Sequence, residues 1–391
     1  WLEIDTDALA ANLRLVRALA APAARVAAVV KADAYGHGIE IAGRTFIAAG
    51  ADVLCVATLD EALLLRSAGI RAPVAVLFAV SPARVRDAVE AGIELIAAEM
   101  DVLRETLAAW KAQRREGVDE LSLHLEVETG LMRAGIRPER VAEAAQLVAE
   151  TPRATIAGLW SHLASSHDAV ASAEQVRRFD AASSAVRAVG IDIRWRHLAA
   201  TGALFAGTAP HYEMVRPGLA LYGELPEGFP VSETASPAAR GLRPALTLKA
   251  RPLRIEAVAA GTAVGYGGLW RAERASLVAT LPIGYGDGWD RTYGGRAAAL
   301  VRGRRVALVG SVAMDAVAAD VTDVPGVGPG DEFVFLGAQR GERIRASELA
   351  RLRNTISWEV LSSMAQRVTR VYHAGAGLMG VRTLVGESLA R

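Results

Sequence analysis

The strongest constraint on this chain is an alternation. Eight short apolar runs fall at 25–33, 52–58, 73–80, 94–99, 121–128, 156–164, 192–200 and 218–223. Between them lie stretches of helical period, such as "LDEALLLRSAG" and "ERVAEAAQLVAE", the latter with apolar residues at i, i+3, i+4 and i+7. Strand and helix in regular series predict an α/β fold, an N-terminal (β/α)8 TIM-type barrel with a parallel sheet. The competitor is a doubly wound open sheet. It would carry G-x-G-x-x-G after the first strand, and that fingerprint is absent.

At 391 residues the chain exceeds one ordinary core. The stretch 224–244 is rich in Pro, Ser and Gly and reads as a connection. Beyond it, β-branched and Gly-punctuated segments dominate. The expected division is a barrel over 1–235 and a mainly-β C-terminal domain over 236–391, with a late helix at 357–368.

A net charge of +1 gives no general pull toward nucleic acid or membranes. No apolar run approaches the ~20 residues that span a bilayer. Cys55 is the only cysteine, which excludes an intrachain disulfide and is compatible with a reducing compartment. The expected location is cytoplasmic. The chain begins at Trp1, so a periplasmic or secreted location stays open.

Barrels of this kind place chemistry at the C-terminal ends of their strands. Those ends carry Lys31 with Tyr35 and His37, Arg133, His162, His197 with Thr201, and Arg216. Singly, each has an ordinary explanation: a solvated strand end, a hydrogen-bonded histidine, a structural ion pair. Together they put an amine, two guanidiniums, imidazoles and a hydroxyl on one rim. Such cations suit an anionic ligand, and backbone N–H groups near Thr201 and 217–219 suit a phosphate. A desolvated lysine beside cations has a lowered pKa and can form a Schiff base. The combination points to pyridoxal phosphate (PLP), an electron sink for carbanions.

The chain resembles the alanine racemase family of barrel-type PLP enzymes over nearly its whole length. The resemblance rests on "VVKADAYGHG" (29–38), "HLEVETGLMRAG" (124–135), "MVRPGLALYG" (214–223), "AVGYGGLW" (263–270), "LPIGYGDGW" (281–289) and "VGSVAMD" (309–315), in family order. It implies racemisation of L- and D-alanine by two bases, for D-alanine and peptidoglycan-precursor synthesis. Lys31 would hold PLP and act as one base. Tyr266 of the partner subunit would be the other, in a homodimer with shared active sites. Tyr35, Thr201, Gly218 and Leu219 would bind the phosphate. Arg216 would face the pyridine nitrogen and His162 the ring. Arg133 would contact the phenolic oxygen and the substrate carboxylate, with Tyr285 and Met314 contributed by the partner near that carboxylate. The chemistry supports two bases, because racemisation removes a proton from one face of Cα and returns one to the other. A guanidinium cannot release a proton at ordinary pH, so the pyridine nitrogen would stay unprotonated. That weakens the electron sink and limits side reactions such as transamination.

Four positions depart from the family pattern. Glu126 stands where a carbamylated lysine is common, and its charge is expected to orient Arg133. Ala200 replaces an asparagine, Ser311 an arginine of the entry corridor, and Gln366 a phosphate-binding tyrosine. The lost side chains would widen the mouth, so a broad-specificity or serine-type racemase is an alternative. A PLP decarboxylase would want an acid where Arg216 stands. A non-catalytic PLP-binding protein would lack the second domain.

Overall fold

The computed structural model describes residues 1–113, 120–226 and 228–389. Glu227, inside the expected connection, and residues 390–391, at the end of the expected C-terminal domain, lie outside them. The chain forms two compact units. One comprises Leu9–Ala34 and Ile39–Arg243; the other comprises Trp1–Ala8, Tyr35–Gly38 and Pro244–Arg391. The sequence division at 235/236 therefore differs from the observed one at three places. The short β1 (Leu2–Asp5) explains the first. It pairs antiparallel with Leu246–Ala250 and parallel with Arg370–Ala374, so its backbone is satisfied in the second unit's sheet.

In the first unit, β2 (Arg25–Val29), β3 (Val53–Val56), β4 (Val74–Val76), β5 (Ile93–Ala97), β6 (Leu121–Glu126), β7 (Ala154–Trp160), β8 (Trp195–Ala200) and β9 (Met214–Arg216) close a barrel in chain order. All neighbouring pairs are parallel. Runs such as Val53–Val56 and Val74–Val76 are buried throughout, as strands covered on both faces must be. Two barrel helices start at side-chain caps. Thr58 and Glu61 form a reciprocal capping box before Leu59–Ser67, and Asp168 caps Ala169–Ala188 through Val170 and Ala171 N–H.

The eighth strand corrects the sequence reading. The run at 218–223 is not a strand: Leu219–Tyr222 is a 3-10 turn, and the strand is Met214–Arg216 just before it. Pro217 has no N–H for the ladder, so the strand ends at Arg216, though the Pro217 carbonyl still accepts from Val29 N–H (3.0 Å). The expected connection also contains a short helix, Ser236–Gly241. The late helix spans only Ser357–Ser362, shorter than 357–368.

The second unit is built on one mixed sheet. Its order is Arg254–Val258, Ser276–Leu281, Val317–Asp320, Arg304–Val309, Ala298–Val301, Phe333–Gln339, Leu246–Ala250, β1, Arg370–Ala374, Gly377–Thr383, Gly386–Leu389. Arg302 and Gly303, both at positive φ, make the tight hairpin between Ala298–Val301 and Arg304–Val309. Trp289 anchors the core, with Tyr293 at 4.5 Å and Phe335 at 5.0 Å between ring centroids.

Candidate active site

Lys31 follows β2 directly and opens an uncommon piece of backbone. Ala32, Asp33, Ala34 and Tyr35 all have φ between 51° and 55°. Four consecutive non-glycine residues in the left-handed region cost on the order of 1–2 kcal/mol each. Specific bonds hold the turn. Ala32 N–H donates to Glu61 Oε1 (2.6 Å), while Glu61 Oε2 accepts from Ala57 and Thr58, and Ile39 N–H donates to Asp33 Oδ1 (2.9 Å). Glu61 thus serves both the capping box and the lysine turn. Strain retained beside a functional amine is a recurrent feature of active sites.

Lys31 is half-buried, and its pKa is lowered, first by desolvation and then by Arg133 and Arg216, against Glu61. Phe78, which the sequence reading did not single out, presents its ring to both cations. Lys31 Nζ lies 5.8 Å and Arg133 Cζ 5.3 Å from its centroid. Glu126 ends β6, is buried, and places Oε1 3.5 Å from Arg133 Nη2. Burial raises its carboxyl pKa, against Arg133 and Arg216.

Arg216, the last residue of β9, is only 2% exposed. Its Nη1 donates to His197 Nδ1 and to the His197 carbonyl, both at 2.8 Å. Its Nη2 donates to the Ser161 carbonyl (2.8 Å), with His162 Nδ1 at 3.3 Å. The guanidinium also lies 4.7 Å above the Trp160 ring. Its Nε–H has no acceptor among the described residues. Burial lowers the guanidinium to about 10, still protonated near neutrality. His162 is pushed down to about 3 by burial and by Arg216, Arg133 and Lys31, so it is neutral. Thr201 Oγ1 accepts from Gly218 N–H (2.9 Å) and Ala220 N–H (3.4 Å), which brings the predicted phosphate-binding segments together, with Leu219 between them.

Within this unit, Lys31, Arg133, His162 and Arg216 therefore share one electrostatic neighbourhood. The residues fit PLP. A lowered amine suits a carbonyl partner, the cations suit an anion, and an arginine Nε–H with no acceptor among the described residues suits a ring nitrogen.

The other predicted residues lie in the second unit. Tyr35 is buried there, its phenol pushed up by burial against a hydrogen bond from Trp358. The neighbouring Gly36 has φ 79°, and a Cβ on it would meet the Leu361 carbonyl oxygen at 2.4 Å. Tyr266 is 78% exposed on a turn whose flanking Gly265 and Gly267 have φ 76° and 72°. Ser311 Oγ donates to the Tyr266 carbonyl at 3.1 Å. Tyr285 (42% exposed) and Met314 (52%) sit on adjacent loops joined by Tyr285 N–H to Ala313 O and Gly286 N–H to Met314 O. Arg367 straps the same loops, donating to Asp287 Oδ1 (2.8 Å) and Asp315 Oδ1 (2.6 Å). Gln366 is exposed.

Comparison with known proteins gives one consistent result. The family described as "Alanine racemase, N-terminal domain" matches residues 4–226, and "Alanine racemase, C-terminal domain" matches 245–372. An alanine racemase from Sorangium cellulosum is 38% identical over 384 residues, covering 95% of this chain and 98% of the relative. Alanine racemase from D-cycloserine-producing Streptomyces lavendulae superposes with a TM-score of 0.87 at 35% identity, covering 96% of this chain and 97% of the other. The Bartonella henselae alanine racemase, solved with covalently bound pyridoxal phosphate, gives 0.81 at 25% identity, covering 95% and 99%.

Proposed function

This chain belongs to the alanine racemase family, and from that premise we propose that it interconverts L- and D-alanine with PLP as its cofactor. The carrying observation is a lysine of lowered pKa beside a buried arginine whose Nε–H has no acceptor among the described residues. When bound, PLP supplies an electron sink for the pair left on Cα when its proton departs. Lys31 holds the cofactor and moves the Cα proton on one face. Tyr266 of the partner subunit moves it on the other. Arg216 would face the ring nitrogen and, because a guanidinium retains its proton, would keep that nitrogen unprotonated. His162, neutral, would stand beside the ring. Thr201, Gly218 and Leu219 would take the phosphate. Arg133 binds the substrate carboxylate, its direction set by the Glu126 charge, and Tyr285 and Met314 of the partner subunit complete that end. Arrangement as a homodimer is supported by the exposure of Tyr266, Tyr285 and Met314, functional groups with little surrounding of their own. Among the described residues no helix is long and apolar enough to cross a membrane. A cytoplasmic role supplying D-alanine for peptidoglycan precursors accords with the family.

The departures favour a wider substrate range as a second reading. Ser311 spends its hydroxyl on the Tyr266 backbone and brings no charge to the mouth, and Gln366 is a flexible exposed side chain where a tyrosine is usual. Two measurements test the proposals. Purified protein with PLP should absorb near ~420 nm, lose the band on borohydride treatment, and abolish the optical rotation of L-alanine. Binding without racemisation would instead identify a non-catalytic PLP-binding protein. Comparing alanine with serine, lysine and arginine tests the range; strict alanine preference would reject the second reading.

A further inference from the structure

The interior of a (β/α)8 barrel is ordinarily packed with branched apolar side chains. Here a polar chain crosses it. From Arg216 at the C-terminal rim, contact passes to His197 Nδ1 (2.8 Å), from His197 Nε2 to His124 Nδ1 (2.9 Å), and from His124 Nε2 to Glu94 Oε2 (2.9 Å). Glu94 is the second residue of β5, near the N-terminal end of the barrel, and its side chain is 25% exposed; the histidines are buried. The backbone makes room for this chain. The β6–β7 register shifts at Leu123/His124, and the strand opposite offers Gly158, where a Cβ would stand 2.3 Å from His124 Nδ1.

The proton positions follow from one fact: a guanidinium only donates. His197 Nδ1 must therefore accept, so His197 is neutral with its proton on Nε2. That proton goes to His124 Nδ1, which leaves the His124 proton on Nε2, donated to Glu94. Burial pushes the Glu94 carboxyl up, but His124, Arg25 and Arg194 outweigh it and hold the carboxyl below its ordinary value. An ionised carboxylate accepts only, so it fixes the same direction from the other end of the chain.

We propose that Glu94 and His124 are positioning residues which lock the His197 tautomer and thereby hold Arg216 in its aim at the cofactor nitrogen. The proposal rests on the reading of Arg216 given above. Without the carboxylate, His124 can present Nδ1–H toward His197; His197 then carries its proton on Nδ1, facing the donors of Arg216. The guanidinium must turn or lose that bond.

Glu94→Gln is the test, because the amide keeps the shape but both donates and accepts. Nitrogen-15 NMR of histidine-labelled protein, with and without PLP, reads the ring tautomers. Wild type should show His197 protonated on Nε2 alone. E94Q should show both tautomers, a shifted PLP absorbance band, and kcat reduced about fivefold at little-changed KM, the size of one weakened hydrogen bond. E94D, which restores a carboxylate, should recover the wild-type tautomer. An E94Q protein with the His197 tautomer, band and kcat of wild type would overturn the proposal. If wild type never binds PLP, the site reading fails instead, and the tautomer comparison in the cofactor-free protein still decides the lock.

Discussion

Several polar groups of the barrel unit are buried, whereas three residues expected at the site stand exposed in the second unit. Arg216, His197, His124 and Glu126 are all buried, and each has named partners that fix its direction. Tyr266, Tyr285 and Met314 stand on Gly-punctuated turns, largely exposed. Burial shifts pKa values, so the barrel tunes its own acid–base chemistry.

The contrast is open to substitution, beginning with the largest effect. Lys31→Ala should abolish racemisation, by roughly 10⁴-fold or more, and remove the PLP absorbance band. Tyr266→Phe should cost roughly 10²–10⁴-fold in kcat while leaving the melting temperature almost unchanged, because so exposed a side chain contributes little to folding. A large loss of stability in that variant would place Tyr266 in a core of its own chain and break the comparison.

Glu126→Gln should lower kcat/KM for alanine about tenfold, by loosening Arg133. It should also raise stability at neutral pH. The Glu126 carboxyl is raised on folding, so its contribution is fully present below the ordinary carboxylate value and is lost as pH climbs through the raised one. The melting-temperature gap between E126Q and wild type should therefore widen as pH climbs above the ordinary carboxylate value of about 4.3; a gap that narrows would reverse the sign. Phe78→Ala should have the smallest effect, about two- to fivefold in KM, since an exposed cation–π contact is worth about 0.5–1 kcal/mol.

Much of this was legible in the chain. Seven of the eight apolar runs overlap barrel strands, because buried parallel strands are written as continuous apolar text. The eighth misled for the same reason: "GLALYG" is as apolar as a strand, and Pro217 was the overlooked signal. Arg216 was readable as a strand end, and Lys31, His162 and Thr201 stand one or two residues beyond one, whereas Arg133 lies seven residues past β6. The Glu94–His124–His197 chain was not, since it joins β5, β6 and β8 through space, and its only trace was polar residues inside apolar runs. The left-handed turn after Lys31 left no trace either, because Ala32, Asp33 and Ala34 do not announce positive φ. Nor did β1 announce that it would leave the barrel for the second unit's sheet.

The central claim is that the two bases of one site come from two chains. It is tested most directly by mixing. Lys31→Ala and Tyr266→Phe proteins, each inactive, are combined, unfolded and refolded together, and optical rotation of L-alanine is followed. In a mixed dimer one site would pair an intact Lys31 with an intact Tyr266 of the partner subunit, so activity should return to about a quarter of wild type for random assortment. Mixed dimers that form and remain inactive would mean that each chain must supply both bases itself, and would contradict the account.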